Sequence, residues 1–172
     1  MRSILVPLAL LIASAPASAK VFRATDAGFD IRHEALVAAT PDAVYAVLIE
    51  PRRWWSKAHS WSGDSGNLAL DARPGGCFCE KLPGGGVEHM RVVYAAPGKL
   101  LRMTGALGPM QGEAAGATMT VELRAAPAGT LVTLRYVVGG YLAMGAAPIA
   151  PAVDGVLAEQ LAGLKRASEA AR

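Results

Sequence analysis

The stretch ATMTVELRAAPAGTLVTLRYVVGG, residues 117–140, reads as two strands joined at Pro127-Ala128-Gly129. Met119, Val121 and Leu123 alternate with Thr118, Thr120, Glu122 and Arg124, and Val132, Leu134, Tyr136 and Val138 alternate with Thr133 and Arg135. A period of two sends one set of side chains to a core and the other to water. An antiparallel sheet covered on one face requires this pattern.

Working outward, GFDIRHEALVAA (28–39) alternates in the same way, with Phe29, Ile31, His33, Ala35 and Val37 on one face. Four more strands are expected at NLALD (67–71), GCFCEKL (76–82), VEHMRVVYAA (87–96) and KLLRMTGAL (99–107). The triple glycine 84–86 and Pro97-Gly98 supply turns between them. Thr40-Pro41-Asp42 opens a helix, with Thr40 as cap and Pro41 in the first turn, and that helix stops near Glu50-Pro51. A second short helix, PRRWWS, can start at Pro51, and a Ser/Gly/Asp-rich loop follows over 57–67. From about 150 to 171, Val153, Val156, Leu157, Gln160, Leu161 and Leu164 fall on one helical stripe. The expected class is α+β: a bent seven-stranded antiparallel sheet, two short helices after the first strand, and a long C-terminal helix covering the apolar face.

The first nineteen residues stand apart. MRSILVPLALLIASAPASAK has a positive start at Arg2, an apolar run from Ile4 to Ala13, and Ala17-Ser18-Ala19 before Lys20. That order marks residues 1–19 as a cleavable export signal, an uncleaved N-terminal anchor being the alternative, and 20–172 as a single domain. A periplasmic or secreted protein is expected, with no stable membrane insertion after cleavage. The net charge of +3 falls to +2 without Arg2, and the only basic pairs are Arg52-Arg53 and Lys165-Arg166, so no nucleic-acid footprint is present.

The chemistry-bearing residues are few. WWSKAHSWSG (54–63) holds all three tryptophans and His59. Adjacent Trp54 and Trp55 cannot both face inward on one helix, so at least one is expected to pack structurally. His33, His59 and His89 show no HxH, HxxxH or HExxH spacing, so neither a metal nor another cofactor is expected. Glu80 and Glu88 lie on neighbouring strands across the triple-glycine turn, where a carboxylate turned inward could act as acid or base. The plainer reading is two solvated carboxylates. Cys77 and Cys79 share one strand face; they read as two small buried side chains or free thiols, with a labile i,i+2 disulfide and a metal or redox role left open.

The element order, together with TPDAVYAVL (40–48), the tryptophan pair, PGGCFCEKLPGG (74–85), GALGPMQG (105–112) and the C-terminal helix, resembles the START/Bet v-like (SRPBCC) helix-grip superfamily. Polyketide cyclase/dehydrase proteins and heat-shock-protein ATPase activator homologues belong to it. The resemblance spans about Phe29 to Ala167. It implies a cavity between sheet and long helix, with the short helices and following loops at its rim. On that basis the expected function is binding of a small hydrophobic or aromatic molecule. The assigned contacts are Trp55, His59, Trp61, His89, Met103, Met110, Met119, Tyr136 and Leu161. Two alternatives accompany it. One is a cyclase/aromatase- or lyase-like enzyme using Glu80, His89 or His59; the other is an envelope protein-interaction module.

Overall fold

The computed structural model describes residues 21–171, so the export signal assigned to 1–19 lies outside the described residues. The strands are β1 (Val21–Thr25), β2 (Gly28–Val37), β3 (Leu68–Leu70), β4 (Cys77–Leu82), β5 (Gly85–Ala96), β6 (Leu100–Thr104), β7 (Ala115–Ala126) and β8 (Gly129–Gly140). The helices are α1 (Pro41–Leu48) and α2 (Ala146–Ala170). One curved antiparallel sheet runs β1-β2-β8-β7-β6-β5-β4-β3. Strands β3 to β8 form a meander, and β2 closes onto β8 from Gly28↔Gly139 to Val37↔Thr130. Helix α2 lies across the concave side, against β2, β1 and α1.

The alternation read in β7 and β8 is realised. Ala117, Met119, Val121 and Leu123 are buried on β7, and Val132, Leu134, Tyr136 and Val138 on β8. Leu157, Leu161 and Leu164 of α2 are buried in the same core. Removing each such side chain from water contributes roughly 1.5–3 kcal/mol before the entropy of ordering it is charged. Thr40 caps α1 by accepting the Ala43 N–H at 3.3 Å, with Pro41 in the first turn as expected.

Two expectations are corrected. The sheet has eight strands, not seven, because the polar lead 21–25 pairs with β2 through Thr25↔Gly28, Ala24↔Phe29 and Arg23↔Asp30. Edge pairing satisfies backbone groups without needing an apolar pattern, so β1 carried no periodic signal. The second short helix is one 3-10 turn, Pro51–Arg53. Both Trp54 and Trp55 return their amides to the Pro51 carbonyl, at 3.1 and 2.8 Å, and the chain then leaves helical geometry. The indoles decide that path: Trp54 Nε1 donates to the Leu48 carbonyl at 3.2 Å and Trp55 Nε1 to the His59 carbonyl at 2.9 Å. Freed from a helix, both rings turn toward the core, edge to face at 5.4 Å.

Candidate functional site

Strand β5 carries the irregularity that builds the site. Opposite β4 the register steps from Phe78↔Met90 to Cys79↔Glu88, leaving His89 as the extra residue of a bulge. A bulge breaks the two-residue alternation, so His89 and Met90 are both buried although adjacent. On β4 the alternation holds and sends Phe78 and Glu80 inward together. The His89 ring packs on Phe78 at 5.0 Å, and Phe78 meets Trp55 edge-on at 5.2 Å.

Glu80 is 2 % exposed, so its carboxylate needs donors. It accepts the Trp61 N–H at 3.0 Å, the Ser62 N–H at 2.5 Å and His89 Nε2 at 2.9 Å. Burial alone pushes its pKa up. The hydrogen bonds from Ser62, Trp61 and His89 outweigh burial and hold it below the usual carboxylate range. Burial also pushes the His89 imidazole down, against the pull of Glu80. The two directions agree on one state near neutral pH: Glu80 ionised, and His89 neutral and donating from Nε2. His89 Nδ1 is then the unprotonated, basic nitrogen, with a buried carboxylate orienting the ring.

The segment from Pro51 to Ser62 roofs this region and is latched to α2. The Ser56 N–H donates to Gln160 Oε1 at 2.8 Å, and His59 Nε2 lies 3.0 Å from Glu159 Oε2. Hydrogen bonding from Ser56 and His59 holds the Glu159 carboxyl low. Gln160 is fully buried, and with its oxygen given to Ser56 its Nε2 has no partner among the described residues. Further along, α2 passes so close that a methyl on Gly163 would overlap the Trp54 carbonyl oxygen.

Under this roof lies an apolar cavity lined by Leu48, Pro51, Trp54, Trp55, Leu70, Phe78, Leu101, Met103, Met119 and Val121. It measures about 10 Å³, at the lower limit for a single water. A second, open groove of about 430 Å³ lies among Tyr94, Lys99, Leu100, Arg102, Glu122 and Arg124. Its charged rim and openness do not suit an apolar molecule.

Of the assigned ligand contacts, Trp55, Met103 and Met119 meet at the interior cavity. His89 sits beside it, behind Phe78. His59 belongs to the latch on α2, and Trp61 is 53 % exposed while its amide serves Glu80. Tyr136, Met110 and Leu161 are buried in the core outside the cavity lining. The Tyr136 hydroxyl accepts the Leu107 N–H at 3.1 Å, and burial pushes it up to about 12. That contact ties the 105–112 loop to β8, and Gln111 Nε2, donating to the Glu88 carbonyl at 2.8 Å, ties it to β5.

Sequence reasoning missed His33 and Asp154. His33 projects from β2 onto the apolar face and lies 3.0 Å from Asp154 Oδ1 on α2. The two atoms are within ion-pair distance but out of hydrogen-bond alignment. The alternation Phe29-Ile31-His33 already placed that histidine inward; nothing in the sequence marked its partner. Nor did it separate buried Glu80 from exposed Glu88.

A sequence profile of the family described as "Polyketide cyclase / dehydrase and lipid transport" matches residues 29–169. No match is found among curated proteins. Solved structures resemble the fold at low identity. A Rhodobacter sphaeroides protein superposes with a TM-score of 0.58 at 17% identity, covering 89% of this chain and 99% of its own. A Staphylococcus aureus protein of unknown function gives 0.59 at 15%, covering 83% and 94%. The di-domain ARO/CYC StfQ of the steffimycin biosynthetic pathway gives 0.57 at 17%, with 84% of this chain on 50% of that one.

Proposed function

The chain belongs to the polyketide cyclase/dehydrase and lipid transport family, and from that premise we propose that it binds a small hydrophobic or aromatic molecule against the inner face of its sheet, beneath the 51–55 segment rather than against α2, none of whose residues lines the cavity. The observation that carries this reading is the wholly apolar cavity beneath Trp54 and Trp55, roofed by a segment latched to α2. Small-molecule pockets measure roughly 300–1,000 Å³, so with about 10 Å³ here this reading needs the roof to lift as ligand enters. The latches are suited to that, being one backbone amide on Gln160 and one surface pair, His59–Glu159. Met103 and Met119 in the lining can repack around ligands of varied shape. After removal of residues 1–19, this binding takes place in the periplasm or outside the cell; the N-terminal residue of the mature protein tests that part.

The direct test is native mass spectrometry of the purified protein, with and without denaturation. A mass excess lost on denaturation identifies a carried ligand. Titration with an apolar fluorophore, followed by energy transfer from the tryptophans, then locates it. Absence of both an adduct and saturable binding refutes the reading.

A second reading is favoured by one specific observation, the buried Glu80–His89 pair. A carboxylate orienting a neutral imidazole leaves a base that can take a proton from a carbon acid, the first step of a cyclase- or lyase-like reaction. Turnover of an aromatic or polyketide-like substrate that is abolished by His89→Gln, with binding retained, supports it. Unchanged turnover sinks it.

A further inference from the structure

Cys77 and Cys79 flank Phe78 on β4 and are joined by a disulfide, with Cα atoms 5.4 Å apart. A bridge across two residues removes little entropy from the unfolded chain, so stabilisation is not what this one supplies. Its position is distinctive. Phe78 is buried on the inner face of β4, while the two cysteines on the outer face are half-buried, within reach of solvent. Across the β4–β5 ladder Cys79 faces Glu88 and Cys77 faces Arg91. The Glu88 carboxylate and both sulfurs lie within 4.8 Å of one another. Arg91 pairs with Glu88 and is braced by Nη1 donating to the Gly75 carbonyl at 2.7 Å.

Two features suit thiol–disulfide exchange: a short-loop bridge within reach of solvent and, opposite Cys77 on the facing strand, the Arg91 cation to steady a departing thiolate. We propose that Cys77–Cys79 is a reversible redox site whose substrates are thiols, dithiols foremost. A substrate thiolate attacks one bridge sulfur; the S–S bond breaks, the other cysteine leaves as a thiolate, and a mixed disulfide forms. The second substrate thiol, once deprotonated, attacks the substrate sulfur of that mixed disulfide and expels the remaining cysteine. Two electrons pass from dithiol to bridge. The substrate departs as a disulfide, and the two protons it gave up convert Cys77 and Cys79 to thiols. In the reverse direction a substrate disulfide reoxidises the pair.

The test uses the intact protein in buffers of reduced and oxidised glutathione, quenched in acid and alkylated with a maleimide for mass analysis. The expected result is two maleimide adducts in millimolar reduced glutathione without denaturant, their loss on return to oxidised glutathione, and an unchanged far-UV CD spectrum throughout. A bridge that opens only in denaturant, or whose opening abolishes the helical CD signal, is a structural staple and overturns the proposal. Protein purified with free thiols distinguishes the cases equally well, since failure of oxidised glutathione to close the bridge also overturns it. In Cys79→Ser, Cys77 is expected to take up one glutathione as a mixed disulfide; no uptake shows the sulfur is shielded and refutes the site.

Discussion

The Glu80 carboxylate and the His89 imidazole meet at 2.9 Å in the interior, on neighbouring strands, and only because a bulge turns His89 inward. The pair is sealed by the Trp61 and Ser62 amides, so one carboxylate ties together strand, bulge and roof. Replacing Glu80 with Gln keeps the volume but removes the charge those donors answer. Hydrogen bonds to charged groups contribute about 1.5–3 kcal/mol each, and part of this is lost. A loss of about 2–3 kcal/mol in urea unfolding is expected, with Glu80→Ala costing more because it leaves the His89 and backbone donors unpaired.

Acid is expected to act in two stages. His89 has a folded-state pKa below its unfolded value, so the unfolded chain takes up the proton first. Its share of stability is complete above the unfolded pKa of about 6.5 and is lost as pH falls toward the folded value. Glu80 is likewise depressed, so its share is complete above the unfolded value of about 4.3 and is lost as pH falls through the folded one. Urea midpoints between pH 7 and pH 3 should fall in two steps. His89→Gln should remove the upper step; a midpoint flat down to pH 5 in the unmodified protein would contradict the assignment.

At the alkaline end Tyr136 contributes to the curve. Its hydroxyl is raised from the ordinary 10 to about 12, so the neutral form is the one the fold favours. The contribution is complete below pH 10 and is lost between 10 and about 12. Tyr136→Phe is expected to reduce that loss, with Tyr45, whose hydroxyl burial also pushes up, keeping a remainder. The substitution also strands the Leu107 N–H, at a cost of about 1–3 kcal/mol read from the thermal midpoint at pH 7.

Gly163 tests how closely α2 grips the roof. Gly→Ala inside a helix ordinarily stabilises by roughly 0.5–1 kcal/mol. Here the added methyl overlaps the Trp54 carbonyl oxygen, which is backbone and cannot rotate away. Gly163→Ala is therefore expected to lower the thermal midpoint, with a cost of about 1–3 kcal/mol of overpacking outweighing the helix gain. Gly155→Ala on the same helix, with open space at its Cβ, should raise it.

The latch is tested by rate rather than stability. In His59→Ala/Glu159→Ala the surface pair between roof and α2 is gone. Stopped-flow binding of an apolar fluorophore should be faster, with the thermal midpoint little changed, because exposed pairs contribute little to folding. An unaltered on-rate would mean that ligand does not enter beneath this segment.

What the sequence determined by itself was whatever repeats with a period. The two-residue alternation from Met119 to Val138 set the sheet and its buried face, the stripe through Leu157, Leu161 and Leu164 set the covering helix, and Thr40-Pro41 set the start of α1. These signals are local, because each residue's side is dictated by its neighbours along the chain. The tertiary structure alone decided the rest. Strand β1 exists because an open sheet edge accepts a polar segment. Trp54 and Trp55 both turn toward the core because the loop folds back to offer the Leu48 and His59 carbonyls to their indoles. Glu80 takes the inner side of β4 with Phe78, Glu88 pairs with outward Cys79, and the roof supplies the donors that make the buried carboxylate tolerable. His89 turns inward at a bulge with no residue signature, and the cavity is nearly closed because side chains from six separate segments fill it. Each of these depends on which groups converge after the chain has folded, and no spacing along the sequence encodes it.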